Sequence, residues 1–183
     1  EVKERGAHAF EGYDKLRSVV FQKDISAIYK SAFLNCTNLT DITFEGDVEY
    51  IGPYTFDGTP WLENQPDGEI YIGKLLYKYK GEMPSNTSVV VKEGTEYICQ
   101  SAFDCCEELT SITLPSSLKQ IHDYAFNGCN NLKEIYCKAL TPPSINSYYN
   151  NFHEGVVIYV PKGTREAYRE ESLLFDNAVE IDF

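Results

Sequence analysis

Cys99 and His122 are the two residues of this chain whose types and spacing come nearest to a catalytic pair. Cys99 follows Ile98 as His122 follows Ile121, so the two occupy equivalent positions 23 residues apart. A thiol beside an imidazole is the minimum of a cysteine nucleophile and its general base. The sequence identifies no residue to orient the histidine and no motif that supplies oxyanion donors. We therefore expect no enzyme, and a cysteine-dependent hydrolase is kept only as an alternative.

Residue types that bind metals or cofactors follow no ligand spacing in this chain. The histidines His8, His122 and His153 are far apart in the sequence, and the carboxylates do not follow the pattern of a calcium loop. There is no Gly-rich phosphate loop. We expect no metal site and no cofactor.

The interval between Cys99 and His122 belongs to a repeat that runs through the chain. The phrase Ala-Phe-x-x-Cys-x-x-Leu, or a close variant, occurs five times, with its phenylalanines 23, 23, 47 and 23 residues apart. A fixed period of this length is typical of solenoids of stacked leucine-rich-type coils. The repeated phenylalanines are Phe10, Phe33, Phe56, Phe103 and Phe126.

Apolar residues in register with the phenylalanines predict one short strand per coil. In the most complete copy, Ile112 and Leu114 alternate with Ser111 and Thr113. Successive strand side chains point to opposite faces, so the first pair faces the core and the second faces outward. We expect a parallel sheet to which each coil of about 23 residues adds one strand.

The interval of 47 residues marks an insert at residues 63–86. It contains EIYIGKLLYKYK, which is two apolar and aromatic runs around Gly73-Lys74. Short runs of this kind separated by a Gly-containing turn predict a β-hairpin that buds from the solenoid. Farther along, residues 164–183 predict a short helix and a final strand that cap the last coil.

The repeat resembles a known family. Its pattern, seen as LTSITLPSSLKQIHDYAFNGC from Leu109 to Cys129, is similar to the leucine-rich repeats of the BspA family of bacterial surface proteins. The ending VIYVPKGTREAY from Val157 is similar to that family's closing segment. The insert, Thr59 to Trp61, and Arg5 in place of an isoleucine depart from the pattern. The resemblance implies a right-handed leucine-rich-repeat solenoid, located outside the cell or at its surface and acting in adhesion or host interaction.

Most of the six cysteines fit the repeat as packing residues. Cys36, Cys106 and Cys129 share one repeat position, and Cys137 shares an inward strand position with leucine and phenylalanine. A buried free thiol behaves as a small hydrophobe. Cys99 and Cys105 are less constrained, so the spacing leaves a disulfide open.

Charge narrows the class of partner. The chain of 183 residues has a formal charge of −12, which repels phosphate backbones and anionic lipid surfaces. No apolar run approaches the roughly 18 residues of a membrane span. We expect a protein partner, with a glycan as the alternative, and neither nucleic acid nor a membrane span in this chain.

Two surfaces are candidates for binding. The first is the outward, concave face of the parallel sheet, since solenoids commonly bind partners there. Its predicted residues are Ser18, Asp41, Thr43, Ser88, Val90, Ser111, Thr113, Glu134 and Tyr136. The second is the insert, whose aromatic residues suit a glycan if they are exposed and seal the interrupted coil if they are not. These are Trp61, Tyr71, Tyr77 and Tyr79.

The sequence thus predicts one solenoid domain over residues 1–183, with coils from Val2 to about Gly163. It is interrupted at 63–86 and closed at 164–183. The expected function is that of a non-catalytic extracellular interaction or adhesion module.

Overall fold

A computed structural model of the chain describes residues 6–23, 25–145, 152–153 and 155–183. Their contacts divide the chain into two compact units, residues 1–80 (unit 1) and 81–183 (unit 2). Both units contain parallel strands that repeat at the predicted period, which confirms a β-solenoid of about 23-residue coils. Arg5 and Val2 lie outside the described residues. The single domain expected over 1–183 stays a prediction.

Unit 1 consists of two strand ladders, one helical turn and a hairpin. The longer strands β1 and β3 pair in parallel, as do the two-residue strands β2 and β4, whereas β5 and β6 form an antiparallel hairpin. The elements are β1 (Ser18–Phe21), β2 (Ala27–Ile28), β3 (Asp41–Phe44), β4 (Tyr50–Ile51), α1 (Pro60–Glu63), β5 (Gly68–Ile72) and β6 (Leu75–Lys80).

Unit 2 repeats the same plan over more coils. Its longer strands form a parallel sheet in the order β14-β13-β11-β9-β7, and its two-residue strands β8, β10 and β12 form a second ladder. The elements are β7 (Thr87–Val90), β8 (Tyr97–Ile98), β9 (Leu109–Leu114), β10 (Gln120–Ile121), β11 (Glu134–Cys137), β12 (Ser144–Ile145), β13 (Val157–Pro161), α2 (Arg165–Glu171), the 3-10 helix η1 (Leu173–Phe175) and β14 (Val179–Ile181).

The inward positions of the longer strands form the core of unit 2. Ile112 is in register with Ile135, and Ile135 with Ile158, and all three side chains are buried. The predicted alternation is therefore present. The sequence did not predict the two-residue strands, of which β2, β4, β8 and β10 end at the isoleucine five residues before a repeated phenylalanine.

The turn around each repeated phenylalanine has the same unusual backbone. The residues two before and two after the phenylalanine all have positive φ, a region that costs side-chain-bearing residues about 1–2 kcal/mol each. The position two residues after the phenylalanine holds glycine or asparagine in four of five coils, which limits that cost. The residues are His8, Ser31, Tyr54, Ser101 and Tyr124 before it, and Gly12, Asn35, Gly58, Cys105 and Gly128 after it.

This backbone allows neighbouring turns to bond and their phenylalanines to stack. Phe103 N donates to Ala125 O at 2.8 Å, and the rings of Phe103 and Phe126 lie 5.4 Å apart, 6° from parallel. In unit 1, Phe33 N donates in the same way to Thr55 O. Phe33, Phe103 and Phe126 are all buried, as predicted. The stack of turns around the repeated phenylalanines, called the turn stack below, therefore both satisfies backbone hydrogen-bonding groups and buries aromatic surface.

The predicted hairpin is present, but it packs into unit 1 rather than budding from it. Gly73 and Lys74 form its two-residue turn. Tyr77 is buried, with its ring 5.7 Å from that of Phe56. Phe56 N donates to the Tyr77 hydroxyl at 3.3 Å, where other coils use a carbonyl of the following turn. The insert therefore provides an acceptor for the turn that it follows.

The predicted helix and final strand at the end of unit 2 are also present. Tyr168 of α2 is fully buried, and its hydroxyl donates to Ala139 O at 2.7 Å. Its ring packs edge-on against Phe175 at 5.1 Å, and β14 pairs in parallel with β13. These contacts cover the end of the core at which β13 and β14 lie, as expected of a solenoid cap.

The phenylalanine stack predicts a position-dependent loss of stability. Phe126→Ala should lower the free energy of unfolding by about 3–5 kcal/mol, because it removes a buried ring and leaves a cavity. Phe10 holds the equivalent position but is 47% exposed, so Phe10→Ala should cost less. Chemical denaturation of both variants measures the difference, and equal losses would contradict the assigned register.

The bond between the insert and its coil predicts a second effect. Tyr77→Phe keeps the ring and removes the acceptor of Phe56 N, so the free energy of unfolding should fall by about 1–3 kcal/mol. The matched change Tyr54→Phe removes an exposed hydroxyl and should be nearly neutral. Denaturant titration of the two variants is the measurement. A Tyr77→Phe variant as stable as the parent would show that the hydroxyl does not perform this role.

Candidate functional site

The outward side chains of β1 and β3 form the unit 1 part of the predicted binding face. Ser18 is in register with Asp41, and Val20 with Thr43, and all four are exposed. Such residues carry little of the core, so they are available to a partner without cost to the fold. Asp41 supplies the charge on this part of the face.

In unit 2 the outward residues form two columns that cross the strands of the longer sheet. Backbone register places them side by side. The first column consists of Ser88, Ser111, Glu134 and Val157, and the second of Val90, Thr113, Tyr136, Tyr159 and Val179. Val90 is 70% exposed and Val179 is 43% exposed. The second column therefore presents apolar and aromatic surface to solvent.

Tyr136 and Tyr159 form the centre of the second column. Their rings stack with centroids 4.7 Å apart and planes 13° from parallel. Desolvation at the pair raises the pKa of Tyr136, and so do its hydrogen bond to Glu134 and the charge of that carboxylate. The Tyr136 phenol therefore remains neutral near pH 7. The two stacked rings form a rigid aromatic surface on a face whose other residues are mostly small.

Serines of the first column bond to each other. Ser111 Oγ donates to Ser88 Oγ at 2.7 Å. A hydroxyl bonded in this way offers less to a partner than a free one, so contact area rather than hydroxyl bonding is the main resource of this face. Within each unit, the strands thus bring the residues of the predicted face side by side.

Sequence reasoning missed Tyr159 and Val179. The resemblance assigns Val157 to Tyr168 to a closing segment, and this assignment does not continue the sheet into that segment. A signal was present, since the alternation in Val-Ile-Tyr-Val places Tyr159 exactly 23 residues after Tyr136. Continuing the repeat by one coil would have identified the aromatic pair.

The aromatic residues of the insert do not form an exposed row. Tyr77 is buried, which corrects its assignment as an alternative binding residue. The Trp61 ring packs edge-on against Phe56 at 5.1 Å, and Tyr71 and Tyr79 are half-buried. These positions fit the packing interpretation, in which the insert's rings seal the interrupted coil.

The candidate catalytic pair lies in the short-strand ladder. Ile98 of β8 is in register with Ile121 of β10, so Cys99 and His122 follow at adjacent positions. Cys99 is completely buried, whereas His122 is half-buried. A thiol without solvent access cannot reach a substrate without local opening. The arrangement therefore does not support nucleophilic catalysis.

All six cysteines are free thiols in the structure. Cys36 Sγ donates to Phe10 O at 2.9 Å, and Cys129 Sγ donates to Phe103 O at 3.0 Å. The shared repeat position is therefore a packing slot whose thiol bonds the preceding turn. Cys106 is half-buried at the same position, and Cys105 is exposed.

No group of three or more His, Cys, Asp or Glu residues is placed to hold a metal ion within the described part of the chain. None of the helices among the described residues combines the length and hydropathy needed to cross a bilayer.

Comparison with known proteins places the repeat. The model of the BspA type leucine rich repeat region matches residues 1–79 and 70–156, with six copies. No curated protein matches the chain. Among solved structures, the crystal structure of the pneumococcal vaccine antigen PcpA is similar over 92% of this chain and 69% of that chain. Its sequence identity is 15% and its TM-score 0.33, too low to carry an argument about function. On the family match, which spans most of the sequence, the chain belongs to the BspA-type leucine-rich-repeat family.

Proposed function

We propose that this protein is a non-catalytic interaction module that binds a protein partner through the outward face of its longer-strand sheets. Membership of the BspA-type family suggests a surface interaction module. The observation that carries the proposed binding face is the second column of unit 2, in which Tyr136 and Tyr159 stack and the exposed Val90 and Val179 form the two ends. The other residues of the predicted face act as its surroundings.

The physical argument rests on low ordering cost. Each residue of the column belongs to a strand that is bonded to its neighbours, so binding does not have to order the backbone. Tyrosine supplies a large contact area with few rotatable bonds, and the Tyr136–Tyr159 stack restricts those bonds further. Aromatic residues in such positions are common at the energetic centres of protein interfaces.

A glycan is the alternative partner. Sugar recognition by aromatic residues requires exposed ring faces, and Tyr77 is buried while Trp61 packs on Phe56. In the Tyr136–Tyr159 stack, each ring covers one face of the other. Both observations favour a protein partner over a glycan.

The proposal includes a location outside the cell or at its surface, which rests on the family alone. It also excludes nucleic acid, because a chain of charge −12 repels phosphates at long range. The burial of Cys99 supports a function without catalysis.

The binding face predicts which substitutions should matter. The parent protein is first tested against immobilised extracellular matrix proteins and a glycan array. For a confirmed protein partner, Thr113→Arg should weaken binding about tenfold or more, because it places a bulky cation beside Tyr136. Asn130→Arg is the matched control, with the same charge on an exposed turn residue. Surface plasmon resonance measures affinity, and both variants should keep their stability within about 0.5 kcal/mol.

A second pair of variants locates the site. Asp41→Lys with Thr43→Lys alters the unit 1 face, and Tyr71→Ala with Tyr79→Ala alters the insert. Normal binding by every sheet variant, together with loss on changing the insert, would move the site to the insert and favour the glycan. Substitution of Cys99 or His122 should leave affinity unchanged.

A further inference from the structure

Three thiols gather at one place in the turn stack of unit 2. Cys105 and Cys106 are adjacent in one coil, and Cys129 occupies the position of Cys106 in the next coil, 23 residues later. Cys36 holds this position in unit 1, but its equivalents in neighbouring repeats are Tyr13 and Thr59. Cys106 and Cys129 are therefore consecutive thiols of one ladder.

Contacts place Cys106 and Cys129 side by side. Phe103 O accepts from Cys106 N at 3.1 Å and from Cys129 Sγ at 3.0 Å, so both residues converge on one carbonyl. Cys105 N also donates to Asn127 O at 2.8 Å, which holds the two turns in register. A Cβ placed on Gly128 would lie 3.1 Å from Cys105 Cα, which confirms how closely the turns approach. Neighbouring coils that are hydrogen-bonded in this way are spaced about as adjacent strands are, at about 4.7–4.9 Å. That spacing lies within the Cα separation of about 4.4–6.8 Å that a disulfide spans.

We propose that Cys106 and Cys129 are a redox-modification site that forms a disulfide between coils when a small-molecule disulfide such as oxidised glutathione is present. Cys106 loses its proton to solvent and attacks one sulfur of the small disulfide, which releases one small thiolate. Cys129, deprotonated in turn, attacks Cys106 Sγ and releases the second. The protein loses two protons and two electrons, and the small disulfide is reduced to two thiols.

Other thiols are less suitable for this pairing. The register neighbour of Cys105 in the next coil is Gly128, which has no side chain. Cys137 lies under the cap, where its sulfur is 3.2 Å from the Tyr168 hydroxyl oxygen. Cys106 is half-buried, so it is accessible to the small disulfide, whereas Cys129 is buried. The order of attack follows from this difference in access.

The surroundings make the exchange slow near neutral pH. Burial and the Asp104 carboxylate raise the pKa of Cys106 to about 11, and burial and the neighbouring Cys106 raise the pKa of Cys129 to about 12. Only thiolates attack disulfides. Below these values each unit of pH should raise the thiolate fraction, and with it the rate, about tenfold. The pair thus stays reduced in brief exposure and becomes oxidised on long exposure or at high pH.

Peptide mapping tests the proposal. The folded protein is incubated with oxidised glutathione at about pH 7 and about pH 9, alkylated, and digested with trypsin without reduction. Cleavage after Lys119 separates Cys106 from Cys129, so their link appears as a joined peptide pair. We expect that pair, formed faster at the higher pH, with Cys36 unlinked in the same digest. The oxidised protein should melt at a higher temperature than the reduced one, because the crosslink restricts the unfolded chain.

Matched variants identify the partners. Cys105→Ser should keep the linked pair and the shift in melting temperature, and Cys106→Ser should lose both. Equilibration of the parent protein at the higher pH that yields only free thiols or glutathione adducts would overturn the proposal. A link between Cys105 and Cys129, or between Cys105 and Cys106, would overturn it as well.

Discussion

The backbone bond from one turn to the next is the constraint on which the rest of this structure depends. Within a turn only alternate N–H groups find an acceptor in their own coil, as those of Ala102 and Cys106 do, so the N–H groups between them need a carbonyl from outside the coil. The next turn supplies the carbonyl, as Ala125 does for Phe103. Positive φ on both sides of the phenylalanine aims these groups along the stack. The cost of that backbone is offset by ring stacking and by the hydrogen bonds it permits.

Interruptions of the stack reveal the strength of this constraint. Where the insert follows Phe56, the Tyr77 hydroxyl accepts the bond that a turn carbonyl would otherwise accept. In unit 2, the Tyr168 hydroxyl of α2 donates to Ala139 O, so a carbonyl just after β11 is satisfied by the capping segment. Two unrelated segments thus use a buried tyrosine for the same purpose. A tyrosine suits this role because one ring fills the core while its hydroxyl reaches the backbone.

The sequence predicted the parts of the fold that follow from period and alternation. The coils, the buried Phe33, Phe103 and Phe126, the Gly73-Lys74 hairpin and the final helix and strand are examples. It did not predict the two-residue strands or the packing of Tyr77, because a pair of residues has no periodicity and a tyrosine pattern does not reveal its acceptor. Of the binding face, alternation predicted the outward residues but not Tyr159, which lies beyond the last recognisable repeat phrase.

Repetition also explains why several pairs of chemically suggestive residues lie side by side in this chain. Stacking places any residue beside its equivalent one coil away, so Cys99 beside His122, Cys106 beside Cys129 and Tyr136 beside Tyr159 all arise from the same geometry. Adjacency alone therefore has no functional meaning here, and the surroundings of each pair must distinguish them. Cys99 is enclosed, so its pair lacks a route for substrate. Cys106 and Cys129 share an acceptor and need only a small oxidant, whereas Tyr136 and Tyr159 face outward on a bonded sheet, where a large partner can reach both. Under the two proposals, the same repeat would serve packing, crosslinking or recognition according to which side of the coil the equivalent residues occupy.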